Sequence, residues 1–171
     1  MNTNALPDAE RLILELIEKL RPRVRPGTAM VGIHSGGAWL AERLHRSLGL
    51  SVPLGLLDIS FYRDDYSQSG LHAALKPSQI PFDVEGSDIL LVDDVLYTGR
   101  TTRAALNELF DYGRPKCVDL IVLVDRQERQ LPIAAQFVGT TLKVPSGRIL
   151  RLARDTQGRF EFTLNDAKSS A

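Results

Sequence analysis

Two adjacent carboxylates close an apolar run, and a cluster of hydroxyls around one glycine follows at once: Ile89-Leu90-Leu91-Val92-Asp93-Asp94-Val95-Leu96-Tyr97-Thr98-Gly99-Arg100-Thr101-Thr102. Carboxylates at the end of a buried strand are costly unless a cation or hydrogen-bond donors await them. Ribose hydroxyls and a hydrated Mg2+ are such partners, because Mg2+ takes one or two carboxylates while keeping waters and phosphate oxygens. Asp93 and Asp94 are therefore candidates to hold Mg2+ indirectly, through water and a bound ligand. Thr98, Gly99, Arg100, Thr101 and Thr102 stand directly before a helical pattern. Gly99 permits a tight backbone there, and hydroxyls with free N–H groups at a helix N-terminus cradle a phosphate. Acidic groups beside a phosphate nest suit a sugar phosphate. The spacing is neither that of a P-loop nor that of a dinucleotide fingerprint. An Asp-Asp pair alone reads equally well as a solvated acidic turn; the full run of strand, carboxylates, Thr-Gly-Arg-Thr-Thr and helix does not.

The elements that must position these residues can be read from periodicity. Leu12, Ile13, Leu16, Ile17 and Leu20 recur at helical spacing, with Pro7 and Asp8 suited to the start and Pro22 to the end. Thr28–Ile33 reads as a strand, Ala38–Leu48 as a helix stopped by Gly49, and Val52–Phe61 as a second strand. Residues 62–87 show little periodicity, and their length marks a functional loop. Asp88–Val92 is continuously apolar after its first residue, as in a sheet buried on both faces. Thr101–Tyr112 reads as a helix, Cys117–Val124 and Gln136–Val138 as strands, and Arg148–Ala153 with Arg159–Leu164 as a hairpin. The end from Asp166 to Ala171 reads as frayed.

Strands alternating with helices predict an α/β fold: a doubly wound, mostly parallel sheet flanked by helices. Ligands then sit beyond the carboxyl ends of the strands, at a switch point. The segments 33–38, 93–102 and 125–130 arrive there.

The chain has 171 residues, which suits one domain over 1–171 with a sizeable core. Lys plus Arg and Asp plus Glu number 21 each, which excludes a globally basic nucleic-acid binder but not a local patch. No apolar run approaches the ~20 residues that span a bilayer, and no signal-peptide pattern opens the chain. The single Cys117 cannot form an internal disulfide, consistent with a cytoplasmic location.

The run from Val92 to Thr101 resembles the phosphoribosyl-pyrophosphate (PRPP) motif of type I phosphoribosyltransferases. More narrowly, the chain is similar to the pyrimidine operon attenuation regulators that are also uracil phosphoribosyltransferases. Leu57-Asp58-Ile59-Ser60-Phe61-Tyr62-Arg63-Asp64-Asp65, Asp111-Tyr112-Gly113-Arg114-Pro115 and Leu123-Val124-Asp125-Arg126-Gln127-Glu128-Arg129-Gln130-Leu131-Pro132 carry that resemblance, which spans about Val31 to Thr140. Tyr97 stands where purine enzymes of this kind usually carry an Asp, which turns the expectation toward a pyrimidine; an aromatic packed at a strand end is the alternative.

The resemblance implies a type I phosphoribosyltransferase fold with a small C-terminal hood and the conversion of uracil and PRPP to UMP and pyrophosphate with Mg2+. It implies PRPP binding by Asp93, Asp94, Val95, Leu96, Tyr97, Thr98, Gly99, Arg100, Thr101 and Thr102. Asp93, Asp94 and Arg63 are its catalytic positions, and the loop starting at Arg63 and Asp64 covers the site. Val124, Asp125 and Arg126 would read the base, although Arg126 also suits a structural ion pair. Regulation would run through UMP or UTP and a leader messenger RNA, with Arg129, Arg148 and Arg151 as candidate RNA contacts. The basic stretch Lys143–Arg159 reads equally well as the solvated edge of a hairpin. A homodimer or larger oligomer is expected, partly to cover the first helix and the sheet edges.

One departure matters. The family's pyrophosphate loop often carries two basic residues, whereas Gly32-Ile33-His34-Ser35-Gly36-Gly37 leaves only His34, mostly neutral at pH 7. Either a conformation only glycine adopts explains Gly36, or the loop has lost cations and turnover should be weak. A plain salvage enzyme and a nucleotide-sensing regulator without RNA or catalysis are the two other readings.

Overall fold

The computed structural model describes residues 6–59 and 77–166. Strand β1 (Ala29–Ile33) lies between β2 (Gly55–Leu57) at one edge and β3 (Asp88–Leu96) at the centre. Beyond β3 follow β4 (Cys117–Asp125) and β5 (Phe137–Thr141), so the five-stranded sheet runs β2-β1-β3-β4-β5, with every neighbouring pair parallel. Helix α1 (Ala9–Leu20) and helix α2 (Gly36–Leu48) contribute to one core, and α3 (Arg100–Asp111) to another. Strands β6 (Arg148–Arg154) and β7 (Phe160–Asp166) form an antiparallel hairpin that joins the α1–α2 core. The doubly wound expectation is thereby borne out.

The cores explain the alternation. Met30, Leu90 and Val92 pack with Leu12, Leu16, Leu40 and Leu44 and with Leu150, Leu152, Phe160 and Phe162 of the hairpin. Val31, Ile89 and Leu91 pack with Ala104, Ala105 and Leu109 of α3. A strand sandwiched this way has no polar face, hence the continuous apolar runs. Asp119, near the amino end of β4, pairs with Arg23. Burial pulls the Arg23 guanidinium toward neutrality, but the Asp119 and Cys117 contacts outweigh it and raise its pKa.

Asp8 caps α1, its carboxylate accepting the Arg11 N–H at 3.1 Å, and Gly49 closes α2 at φ 63°. The apolar face of α1 is buried within the chain itself, so the expectation that this helix needs a partner's cover is corrected. Strand β3 runs four residues past Val92 and carries Asp93, Asp94, Val95 and Leu96 inside the sheet. Pairing with β4 holds that extension in place, Leu96 opposite Asp125. Helix α2 starts at Gly36, so the two glycines lie in its first turn. Strand β2 is shorter than expected, and Asp166 belongs to β7. Residues 77–87, expected within the long loop, are partly tied down: Gln79 exchanges two backbone hydrogen bonds with Leu56 at 2.7 and 2.8 Å. The Ser78 hydroxyl accepts the Asp58 N–H at 2.8 Å, so the chain returns beside the point it left. Arg63, Asp64, Asp65 and the rest of the expected covering loop up to residue 76 lie outside the described residues, as do 167–171.

Candidate active site at the sheet's switch point

From β1 the chain turns through α2 to β2 on one side; from β3 it turns through α3 to β4 on the other. The carboxyl ends of β1 and β3 are adjacent, Gly32 opposite Val92, and that divergence opens the crevice where α/β sheets take ligands.

Asp93 and Asp94 stand at its floor. Asp93 is 6% exposed, and its Oδ1 accepts the Asp94 N–H at 2.9 Å. Asp94 Oδ2 accepts the Leu152 N–H at 3.3 Å, so the hairpin touches the same carboxylate. Past Leu96 the chain makes the nest. Gly99 adopts φ 90° as the N-cap of α3, a conformation glycine takes at no steric cost. The Thr98 hydroxyl accepts the Arg100 N–H at 3.3 Å, and the Thr98 carbonyl accepts the Gln130 N–H at 3.0 Å. Neither Gly99 nor Ser35, the N-cap of α2, caps its helix with a side chain. Two helix N-termini therefore reach the crevice without a side-chain cap from their own N-cap residues, each favouring an anion.

The turn expected to hold pyrophosphate is built by contact with β3. Gly36 and Gly37 do not have positive φ; space, not conformation, demands glycine. A Cβ on Gly36 would sit 2.4 Å from Asp94 Oδ2, and one on Gly37 would sit 2.6 Å from the Val92 carbonyl oxygen. Of this turn's residues, His34 is half-buried and donates its N–H to Leu57 O at 2.9 Å, while Ser35 is exposed. The His34–Ser35 peptide bond is cis.

Tyr97 leaves the end of β3 44% exposed, and the Arg126 guanidinium lies over its ring, 3.8 Å from the centroid. Arg126 also donates from Nε and Nη2 to Glu128 Oε1, at 3.1 and 3.0 Å. Of the other expected base-reading residues, Val124 is fully buried in β4. The Asp125 carboxylate accepts the Gln127 N–H at 2.7 Å and pairs with Arg129. Thr102, expected in the nest, is 2% exposed, with its hydroxyl buried and without a hydrogen-bond partner. Arg148 pairs with Asp166 at 3.1 Å, and Arg151 is exposed on the hairpin. Sequence reasoning missed Glu128, Gln130 and Leu152. The first two stood in a segment already marked as arriving at the site; Leu152, which acts through its backbone N–H, left no signal.

A metal ion must find its ligands here in part from solvent and substrate. No group of three His, Cys, Asp or Glu among the described residues is placed to hold one. Two carboxylates at a strand end, next to anion-binding helix ends, fit Mg2+ bound through waters and phosphate oxygens.

The phosphoribosyl transferase domain family matches residues 2–146. The "Bifunctional protein PyrR" of Ralstonia nicotianae is 50% identical over 163 residues, 91% of this chain and 93% of that protein. The protein of the same name from Pseudomonas aeruginosa is 51% identical over 146 residues, 82% of this chain and 85% of its own. The chain belongs to that family. The resemblance seen in its motifs, to pyrimidine regulators that are also uracil phosphoribosyltransferases, is borne out. A solved hypoxanthine-guanine phosphoribosyltransferase from Bacillus anthracis aligns with a TM-score of 0.65 at 20% identity, over 82% of this chain and 84% of that one, which shows the shared fold. Phosphoribosyltransferases generally use Mg2+ with PRPP. Among the described residues no helix is long and apolar enough to cross a membrane.

Proposed function

We propose that this crevice joins uracil to the ribose of PRPP and releases pyrophosphate, and that its occupancy by a uridine nucleotide controls a pyrimidine operon. The observation that carries the catalytic half is the convergence of Asp93, Asp94 and two helix N-termini at one switch point, beside Tyr97 and Arg126. In the reaction the bond from C1′ to the pyrophosphate oxygen breaks, the bond from C1′ to uracil N1 forms, and the N1 proton leaves. Charge builds on the ribose ring and on the departing pyrophosphate, so catalysis rests on positioning and electrostatics. The α3 nest binds the 5′-phosphate, and Asp93 and Asp94 hold ribose hydroxyls. Those two carboxylates would also hold Mg2+ through water, which would supply charge neutralisation at the phosphates. Arg63 would add a cation from outside the described residues.

The pyrophosphate turn offers N–H groups and His34 but neither Lys nor Arg, so turnover should be slow. An assay with uracil, PRPP and Mg2+, with hypoxanthine as control, tests both points. Transfer to hypoxanthine in preference to uracil would overturn the substrate, and turnover in the usual range of ~1–10³ s⁻¹ would overturn the slowness.

The regulatory half extends to a leader transcript, met in the cytoplasm by a homo-oligomer. A reading without RNA has its own support. Arg129 is engaged by buried Asp125 and Arg148 by Asp166, which leaves Arg151 as the candidate contact without an acidic partner among the described residues. Filter binding to leader RNA with and without UMP separates the two. Affinity that does not fall with salt, or that survives Arg151→Ala unchanged, removes the RNA reading.

A further inference from the structure

Arg126 is a buried cation that is only partly used. Its side chain is 6% exposed, so its guanidinium is almost wholly taken from water. A buried charge needs partners. Two of its five N–H donors go to a single oxygen of Glu128, and the π face is spent on Tyr97. No described residue accepts a hydrogen bond from Nη1. The guanidinium stacks on Tyr97, the exposed ring that follows Asp93 and Asp94 at the end of β3.

We propose that Glu128 is a positioning residue for base recognition: it locks the Arg126 guanidinium against Tyr97 so that the free Nη1 edge donates to a carbonyl oxygen of the pyrimidine. This rests on the uracil reading above and adds how the base is chosen. Guanidinium carries donors only. It rewards the carbonyl oxygen at position 4 of uracil and meets another donor at the 4-amino group of cytosine. A buried donor left facing a donor loses its hydrogen bond outright, the kind of mismatch that separates close analogues strongly. Glu128 supplies what Arg126 alone lacks. The ring contact is compatible with rotation of the guanidinium in its plane, whereas a charge-assisted bond from both Nε and Nη2 fixes that rotation. Neither the strand periodicity nor the PRPP motif requires an acid at this position.

Calorimetric titration of the full chain with UMP, CMP and ribose 5-phosphate tests this without depending on turnover. Wild type should bind UMP more tightly than CMP. Glu128→Ala should weaken UMP roughly 10-fold, the size of one lost charged hydrogen bond, bring UMP and CMP together, and leave ribose 5-phosphate unchanged. Glu128→Gln, which keeps an oxygen acceptor, should recover most of the UMP affinity. Equal UMP affinity in wild type and Glu128→Ala overturns the assignment while leaving the uracil reading intact. Loss of ribose 5-phosphate binding together with UMP binding, without rescue by Gln, overturns it in favour of a purely structural role. A wild type that binds UMP no better than ribose 5-phosphate overturns both the assignment and the uracil reading beneath it.

Discussion

The two arms of the crevice reach the same point by opposite means. The β3–α3 arm presents side chains: two carboxylates, a hydroxyl at Thr98, an aromatic ring at Tyr97. The β1–α2 arm is defined at Gly36 and Gly37 by side chains that are absent. Judged by charge, the second arm has lost its cations. Judged by contact, its glycines let the start of α2 close on Asp93 and Asp94, since a single Cβ at Gly36 would fall 2.4 Å from a carboxylate oxygen. A motif of functional groups can be understood residue by residue, whereas a missing group has meaning only beside the neighbour that occupies its space.

Asp94→Asn is the most severe test of the first arm. Asparagine keeps an oxygen for the Leu152 N–H, so the hairpin contact survives while the charge is lost. kcat/KM for PRPP should drop about 100-fold, the cost of one preorganised electrostatic partner, with Tm nearly unchanged. An effect below threefold would mean that Asp94 serves the hairpin and not the ligand.

Gly36→Arg tests the second arm, because charge and contact predict opposite signs. If lost cations limit the site, the arginine restores them and PRPP binds more tightly. If space rules, the new side chain displaces Asp94, costs about 1–3 kcal/mol of stability as an overpacked contact, and separately weakens PRPP roughly 10-fold because Asp94 is moved from its place. We expect the second outcome; denaturant midpoints and calorimetry decide it. Gly99→Ala should be milder. A left-handed residue with a Cβ costs about 1–2 kcal/mol, and that Cβ would also press on Ile133 at 3.2 Å. PRPP affinity should fall with stability, because the strained residue is the N-cap of the nest.

What was legible in the sequence follows the same division. Asp93 through Thr101, the Asp8 cap, the Gly49 stop and the hairpin around Asp155–Gly158 are local patterns, set by residues a few positions apart. The role of Gly36, the Leu152 N–H on Asp94 58 residues away, and the burial of α1 beneath the hairpin depend on tertiary neighbours that no spacing encodes. Pairing fell between the two. Arg126 was open to either a base contact or an ion pair, and it makes the pair with Glu128 while keeping an edge free. Arg129, a candidate RNA contact by resemblance, lies four residues from the buried Asp125 that engages it, a partner visible in sequence but not distinguishable there from a solvated acid.

Thr102 tests how far the first arm extends. The pattern Thr-Gly-Arg-Thr-Thr does not separate its last two hydroxyls, yet the helix does. Thr101 is half-exposed in the first turn of α3, whereas the Thr102 hydroxyl is buried without a partner. A buried hydroxyl without a hydrogen bond carries its desolvation cost unrewarded, so its removal by a residue of the same shape is close to neutral or stabilising. Thr102→Val should therefore leave stability within about 0.5 kcal/mol of wild type or raise it, with PRPP affinity unchanged. Thr101→Val should weaken PRPP at similar stability. If instead Thr102→Val weakens PRPP as much as Thr101→Val does, the hydroxyl turns outward to the ligand, and the nest extends one residue further into α3.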